Sequence, residues 1–479
     1  MMGPMHFRCR YRSRARAFVL GWLVAGLPAW AAESRPPNFV LLLADDLGYG
    51  DLSCYGHPTI RTPQLDRIAT EGIRLTSFYA QPSCTPSRVA LMTGRYPLRA
   101  GLARVLMPAD TMGLPASEVT LAEVLKGRGY RTAAFGKWHL GHHDKQFFPT
   151  NRGFDEYYGL IYSNDMMPPW VQTDRPLELY RGTEAIEHPV EQSTLTERYC
   201  EEAIRFIRQS KGSPFFVYLA YAMPHVPLHA SEKFAGRSRR GLYGDVVETI
   251  DFSVGRILEA LRAEGLDDNT LVIFASDNGP WMEMGQRMLQ GGYIKPWDAG
   301  SAGLLRGSKG SAYEGGIRVP CVARWPGRIP AGQVSAEMAS TMDLYTTLVN
   351  LAGGTVPADR VVDGLDIFPL LAGMGKSPRQ RFYYFAGHGL EAVRENQWKL
   401  RLCDNPLASS PAGQPPTPEL YNLDLDPAER FNVAQDHPEI VLRLAKEIRS
   451  FAQEIGATAV PWAPGQTQGS AGERAGVQR

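Results

Sequence analysis

Three stretches of the chain are apolar without alternation: Asn38-Phe-Val-Leu-Leu-Leu-Ala44, Pro214-Phe-Phe-Val-Tyr-Leu-Ala220 and Thr270-Leu-Val-Ile-Phe-Ala275. Alternating polarity marks a strand with one wet face. A short unbroken run marks a strand covered on both faces, as in a parallel sheet between helices. Between these runs, apolar positions recur with helical spacing over Gln64–Glu71, Thr120–Gly127, Leu195–Ser210 and Val246–Glu264. The pattern predicts an α/β domain over residues 32–365, with a large, mainly parallel or mixed sheet flanked by helices. From residue 366 the texture changes. Arg381–Phe385, Glu391–Leu402 and Glu419–Leu423 read as short strands, and Pro438–Ile455 as an amphipathic helix with proline in its first turn. Residues 366–463 are therefore expected to form a smaller α+β subdomain with an antiparallel sheet and one packing helix. Residues 464–479, rich in Gly, Gln, Ser and Ala, are expected to be disordered.

The apolar runs end in polar residues. The first delivers Asp45 and Asp46, the third Ser276-Asp277-Asn278-Gly279, and the second leads through Tyr221-Ala-Met-Pro to His225. Open parallel sheets bind ligands beyond the carboxyl ends of their strands. Asp45, Asp46, Asp277 and Asn278 supply only oxygen donors, which suits a hard cation, Ca²⁺ or Mg²⁺, better than zinc. Either pair alone would also fit a helix cap or a turn. Both pairs after buried strands favour a site.

Charge and cysteine content narrow the setting. The formal net charge of +1 gives no basic footprint for nucleic acid. Arg8, Arg10, Arg12, Arg14 and Arg16 precede an apolar run, Ala17 to Leu27, and Ala29-Trp30-Ala31 fits a small-x-small cleavage site. Residues 1–31 thus read as a signal peptide rather than a membrane anchor, the run being short for a bilayer. The expected location is secreted or periplasmic. Removing the five arginines takes the formal charge from +1 to −4. No second run is long enough to span a membrane. Cys54, Cys84, Cys200, Cys321 and Cys403 would remain, scattered, resembling neither a disulfide scaffold nor a zinc site.

One cysteine stands apart. Cys84-Thr-Pro-Ser-Arg88 leads into a helical segment ending Thr93-Gly94-Arg95. Pro86 suits a first helical turn, so Cys84 lies near a helix N-terminus, where backbone N–H groups favour anions. Gly129-Tyr-Arg-Thr-Ala-Ala-Phe-Gly136-Lys137-Trp-His139 reads as a strand ending in Lys137 and His139, two residues apart and able to face one side. These two segments resemble the signatures of the sulfatase family, within the alkaline phosphatase superfamily. Further matches are Gly153-Phe-Asp-Glu156, Lys309-Gly-Ser-Ala-Tyr-Glu-Gly-Gly-Ile-Arg318, Asp363-Gly-Leu-Asp366, Trp398-Lys-Leu and Glu419-Leu-Tyr-Asn-Leu. The resemblance spans residues 36 to 455. It is closest in pattern to the arylsulfatase A type, through Tyr162-Ser163-Asn-Asp165. Residues 281–302 and 168–188 depart from that pattern and are expected around the pocket mouth.

The resemblance implies an alkaline phosphatase-like fold and hydrolysis of sulfate esters of a small molecule, sugar or lipid. It implies that Cys84 is oxidised to formylglycine by a formylglycine-generating enzyme. A sulfated serine would have no easy exit. A hydrated aldehyde offers one hydroxyl to attack sulfur and a second whose deprotonation expels sulfate. By the same resemblance the cation, calcium first, is held by Asp45, Asp46, Asp277, Asn278 and residue 84. Arg88 and Lys137 steady the diol and carboxylates, and Lys137 and Lys309 grip sulfate oxygens. His139 takes a proton during sulfate release, His225 protonates the leaving alcohol, and Ser163 touches substrate. Tyr130 and Trp138 are expected in the core, and His142 and His143 on the surface. Two other readings use the same residues. A phosphoesterase or phosphonate hydrolase of the superfamily also needs cations and a nucleophile at a helix start. A sulfated-glycan binding protein without catalysis needs the cations but not the two histidines.

Overall fold

The unbroken apolar runs occupy the middle of a wide sheet. In a computed structural model, residues 3, 35–402 and 417–459 are described. The expected leader (Gly3 apart), Cys403 and the expected tail lie outside them. In chain order the strands of the large sheet are β1 (Asn38–Ala44), β2 (Ile73–Tyr79), β3 (Arg131–Gly136), β4 (Glu156–Leu160), β5 (Leu179–Arg181), β6 (Glu184–Glu187), β7 (Phe215–Ala220), β8 (Thr270–Ser276), β9 (Arg318–Arg324), β10 (Gln333–Ser335) and β11 (Ala339–Ser340). Their order is β10-β2-β9-β8-β1-β7-β3-β4-β5-β6, with β11 also on β2. The central neighbours β8, β1, β7, β3 and β4 are parallel. Beyond them β9 and β5 run antiparallel to the strands they join.

Every residue of β1, β7 and β8 is buried, which is why these segments carry no polar alternation. Burying each such Leu, Val or Phe side chain contributes roughly 1.5–3 kcal/mol. Two helix groups cover the sheet. α1 (Pro63–Thr70), α4 (Leu195–Gln209) and α5 (Leu242–Ala263) pack together; α2 (Cys84–Thr93) and α3 (Leu121–Gly127) pack with the helix Thr341–Leu351. Helix α5 starts four residues before the expected Val246, because Tyr243 is buried and its hydroxyl donates to Asp51 Oδ2 at 2.6 Å. Among the described residues, no helix is long and apolar enough to cross a membrane.

The second sheet has the order β12 (Arg381–Ala386), β13 (Gly389–Glu395), β14 (Trp398–Arg401) and β15 (Glu419–Asn422), all antiparallel, with β16 (Thr458–Ala459) parallel to β13. The single strand expected over Glu391–Leu402 is a hairpin. Asn396, with φ of 53°, turns the chain between β13 and β14, a conformation asparagine tolerates better than most residues. The helix Pro438–Ile455 packs its apolar stripe, Val441, Leu444, Ala445, Ile448 and Phe451, onto this sheet.

A buried charged knot joins the second sheet to the first. Glu314 accepts from Tyr79 Oη at 2.6 Å, Tyr384 Oη at 2.8 Å and Lys399 Nζ at 3.0 Å. Lys399 also pairs with Glu429 at 2.8 Å, and all three charged side chains are buried. Removing one member of such a set leaves uncompensated charge in low dielectric. Lys399→Met is therefore expected to lower unfolding stability by about 3–5 kcal/mol, read from urea melts. A change under about 1 kcal/mol would show that the knot is not holding the sheets.

Candidate active site

Three parallel strands stop at one level and turn polar. After β1, Asp46 takes φ of 65°, a left-handed conformation rare outside glycine. That turn lets the Asp46 backbone N–H donate to Asp277 Oδ1 at 3.2 Å, while the Asp277 N–H donates to Ala44 O at 3.0 Å. The ends of β1 and β8 are thereby stitched together. Ser276 Oγ accepts from Leu47 N–H at 3.0 Å and donates to Asn278 O at 2.9 Å, closing the second turn. Gly279 must be glycine, since a Cβ there would meet Gly315 O at 1.9 Å.

Strand β3 ends at Gly136, before the Lys137–His139 pair, so strand alternation is not what orients them. Gly136 has φ of 97° and lies so close to β7 that a Cβ would meet Ala220 O at 1.8 Å. The chain then turns, and Lys137 N–H takes Ala220 O at 2.8 Å. The Lys137 ammonium donates to Asp45 Oδ2 and, at 3.0 Å, to Ser163 Oγ. His139 follows with φ of 59°. Its Nε2 is 3.0 Å from Leu106 O. A carbonyl only accepts, so Nε2 carries the proton and the buried, unpartnered Nδ1 is a bare base. No hydrogen bond joins His139 to residue 84 among the described contacts.

Cys84 is the first residue of α2 and is buried. Its Sγ donates to Asp45 Oδ1 at 3.4 Å and faces Lys309 Nζ at 3.4 Å. Lys309 bridges to Asp46 Oδ1 at 2.8 Å. Four residues on, Arg88 lies under the site with its side chain wholly buried. It donates to Asp277 Oδ2 at 2.9 Å, to Lys137 O at 2.6 Å and to Tyr218 Oη at 3.4 Å. His225 sits across from these groups, with Nδ1 2.6 Å from Val226 O and Nε2 3.6 Å from Asp46 Oδ2. Asn164 Nδ2 ties the same loop down through Pro227 O at 3.1 Å.

The electrostatics follow from burial and mutual charge. Burial alone would raise the Asp45 carboxyl, but Lys137, His225 and Arg88 hold it well below the usual carboxylate range. Asp277 is pushed up by burial and then by the charge of Asp45. Burial and Asp45 also push the Cys84 thiol up, so an unmodified thiol here is protonated and a poor nucleophile. Burial, reinforced by Lys309, pushes His225 down to about 3. Burial and Lys137 push His139 well down.

The donor set fits a hard cation. Asp45, Asp46, Cys84 and His225 present ligand atoms all within 4.8 Å of one another. Asn278 Nδ2 donates to Asp46 Oδ1 at 2.6 Å, while its Oδ1 is buried without a partner. A buried acceptor left bare beside carboxylates suits a bound cation. Asp277 stands one step back, both oxygens engaged by Asp46 N–H and Arg88.

The structure links Asp45, Asp46, Cys84, Arg88, Lys137, His225, Asp277, Asn278 and Lys309 through short polar contacts and joins Ser163 through Lys137, while the His139 ring bonds only Leu106 O. Tyr130 and Trp138 are core, as expected. His142 is a correction: it is buried, against the Tyr162 ring at 5.1 Å and Pro108 O at 3.1 Å, while His143 is exposed. The fold around Leu106–Pro108 covers it, which helical or strand periodicity does not foretell. Sequence reasoning gave no role to Tyr218, Asn164 or Trp281. Trp281 packs on His225, with ring centroids 5.5 Å apart, and its position just after Asn278-Gly279-Pro280 was the available signal.

Known proteins resemble this chain over most of its length. Residues 37–354 match the family model Sulfatase, and residues 308–454 match N-sulphoglucosamine sulphohydrolase, C-terminal. The chain is 40% identical to Homo sapiens arylsulfatase A, covering 93% of each protein. It is 43% identical to Rattus norvegicus N-acetylgalactosamine-6-sulfatase over 80% of this chain and 74% of that one. The crystal structure of a Pseudoalteromonas sp. sulfatase superposes with a TM-score of 0.76 at 29% identity, covering 89% of this chain and 92% of that one. The chain belongs to the sulfatase family and is an arylsulfatase-like sulfuric ester hydrolase.

Proposed function

We propose that the chain hydrolyses sulfate esters at residue 84 after Cys84 has been converted to formylglycine by a formylglycine-generating enzyme, with a calcium ion bound beside it. The observation that carries this reading is the setting of Cys84: a helix start, with Asp45 and Lys309 both at 3.4 Å from its sulfur. The thiol itself is poorly activated there, whereas an aldehyde hydrate supplies one hydroxyl for attack and another for release.

Asp45, Asp46 and Asn278 would hold the cation directly, with residue 84 beside it and Asp277 steadying Asp46 from one step back; these oxygen donors suit Ca²⁺ or Mg²⁺, of which we take Ca²⁺. When bound, the cation supplies Lewis-acid charge to a sulfate oxygen and eases deprotonation at residue 84. The chain's own side chains do the rest. Lys137 and Lys309 neutralise the remaining sulfate oxygens. Arg88 keeps Asp277 and Lys137 in place through hydrogen bonds at 2.9 Å and 2.6 Å. His139 offers Nδ1 as the base for sulfate release. His225, once protonated at Nε2, donates to the leaving alcohol; burial first and then the Lys309 charge oppose that protonation, and a bound sulfate anion offsets the second. Ser163 holds Lys137 and borders the sulfate. The substrate is a sulfated small molecule, sugar or lipid, and the Arg-rich, apolar, small-residue order of residues 1–31 supports a secreted or periplasmic setting.

A phosphoesterase reading competes for the same groups. Among the described residues, the acid, cysteine and histidine side chains form one such candidate metal cluster, which favours the single-cation sulfatase. Fully modified enzyme is expected to turn over 4-nitrophenyl sulfate faster than 4-nitrophenyl phosphate, and Cys84→Ala to lower sulfate turnover by more than about 10³-fold. Faster phosphate turnover, or near-normal activity in Cys84→Ala, would overturn the assignment.

Calcium is expected to raise the melting temperature of chelator-treated protein, by a stabilisation of about 2.7 kcal/mol at a hundredfold excess over Kd. Asp46→Ala is expected to lose that response. A melting curve indifferent to both chelator and calcium would remove the cation from the account.

A further inference from the structure

We propose that Trp281 is a positioning residue for the hydrolysis, a single indole that aims both the Lys309 ammonium and the His225 imidazole at residue 84; this rests on the sulfatase reading of the site. Lys309 Nζ lies 4.6 Å from the centroid of the Trp281 ring. The same ammonium bonds Asp46 at 2.8 Å and faces Cys84 Sγ at 3.4 Å. Its charge is thus shared between anions and a π-face, which attracts an ammonium without accepting its proton.

His225 is restrained in the same way. Its Nδ1–H is anchored to Val226 O at 2.6 Å, which fixes the tautomer and leaves Nε2 as the working atom. That bond allows the ring to swing about it. Trp281 closes this freedom, with the two rings 5.5 Å apart and inclined at 53°. The indole is itself held. Arg287 lies 5.6 Å from its centroid, donates to Trp170 O at 3.1 Å and pairs with Asp165 at 3.6 Å. Trp281 is only half-buried, so the wall it forms is open to an incoming substrate.

Loss of the indole would leave every proposed catalytic group present and misdirect two of them. Proton delivery to the leaving oxygen matters most when the leaving group is a weak acid, and least for 4-nitrophenolate. The test is therefore a series of aryl sulfates from 4-nitrophenyl to unsubstituted phenyl, with rates normalised to the modified fraction at residue 84. Wild type, Trp281→Phe, Trp281→Leu and Trp281→Ala would be compared. Trp281→Phe is expected to stay within about threefold of wild type, because a ring face remains. Trp281→Ala and Trp281→Leu are expected to lose about 10- to 100-fold in kcat for phenyl sulfate. The loss should fall mainly on kcat and shrink toward 4-nitrophenyl sulfate as the His225 part fades, leaving the smaller Lys309 part across the series. Leu fills the space without a π-face, so its agreement with Ala separates orientation from collapse of the wall. If Ala or Leu keeps wild-type kcat for phenyl sulfate, or if the loss falls on KM equally across the series, Trp281 is a plain wall and the inference is wrong. Failure of wild type to turn over any aryl sulfate would instead overturn the sulfatase reading.

Discussion

The structure is organised around the neutralisation of three buried carboxylates. Asp45, Asp46 and Asp277 stand just past the ends of buried strands, where a charge without a partner is costly. Lys137, Lys309 and Arg88 meet them within hydrogen-bonding distance, each arriving from a different segment of the chain. Burial makes each attraction strong and each omission costly. The same crowding of opposite charges lets one place hold a cation and a sulfate together.

Much of this was readable before any coordinates. The apolar runs of β1, β7 and β8 carry no alternation because both faces are covered, and their polar ends mark the ligand edge. Cys84 near a helix start followed from Pro86 and the periodicity after it. What escaped depended on tertiary neighbours. Lys137 and His139 are not alternate residues of a strand: the chain breaks at Gly136, and His139 takes a strained φ that only surrounding structure enforces. His142 is buried by a distant loop, although its own neighbourhood reads as polar. The β13–β14 turn hides in a run whose two strands differ little in composition. The role of Trp281 depends on what two other loops bring to it.

The second sheet contributes to the site through one loop. Residues 306–318 leave the pocket at Lys309 and reach the charged knot at Glu314. The Lys309 N–H takes Pro280 O at 3.0 Å and the Gly310 N–H takes Pro82 O at 2.7 Å, so the lysine is fixed against both the Asn278 turn and the approach to Cys84. Downstream, the Glu314 N–H donates to Glu429 at 2.7 Å, while Arg401 Nη1 donates to the hydroxyl of Tyr313 at 3.0 Å. The Lys309 ammonium, though on a loop, thus gains the rigidity of a sheet on either side.

The proposed chemistry stands on an aldehyde and its hydrate at position 84, in place of a thiol. It is tested most directly by mass spectrometry of the proteolytic peptide containing that position, taken from the same preparation whose specific activity is measured. The expected result is a species about 18 Da lighter than the cysteine form, sulfur being replaced by aldehyde oxygen with loss of two hydrogens, in a proportion that tracks activity from batch to batch. Full activity from material carrying only the unaltered cysteine would contradict it.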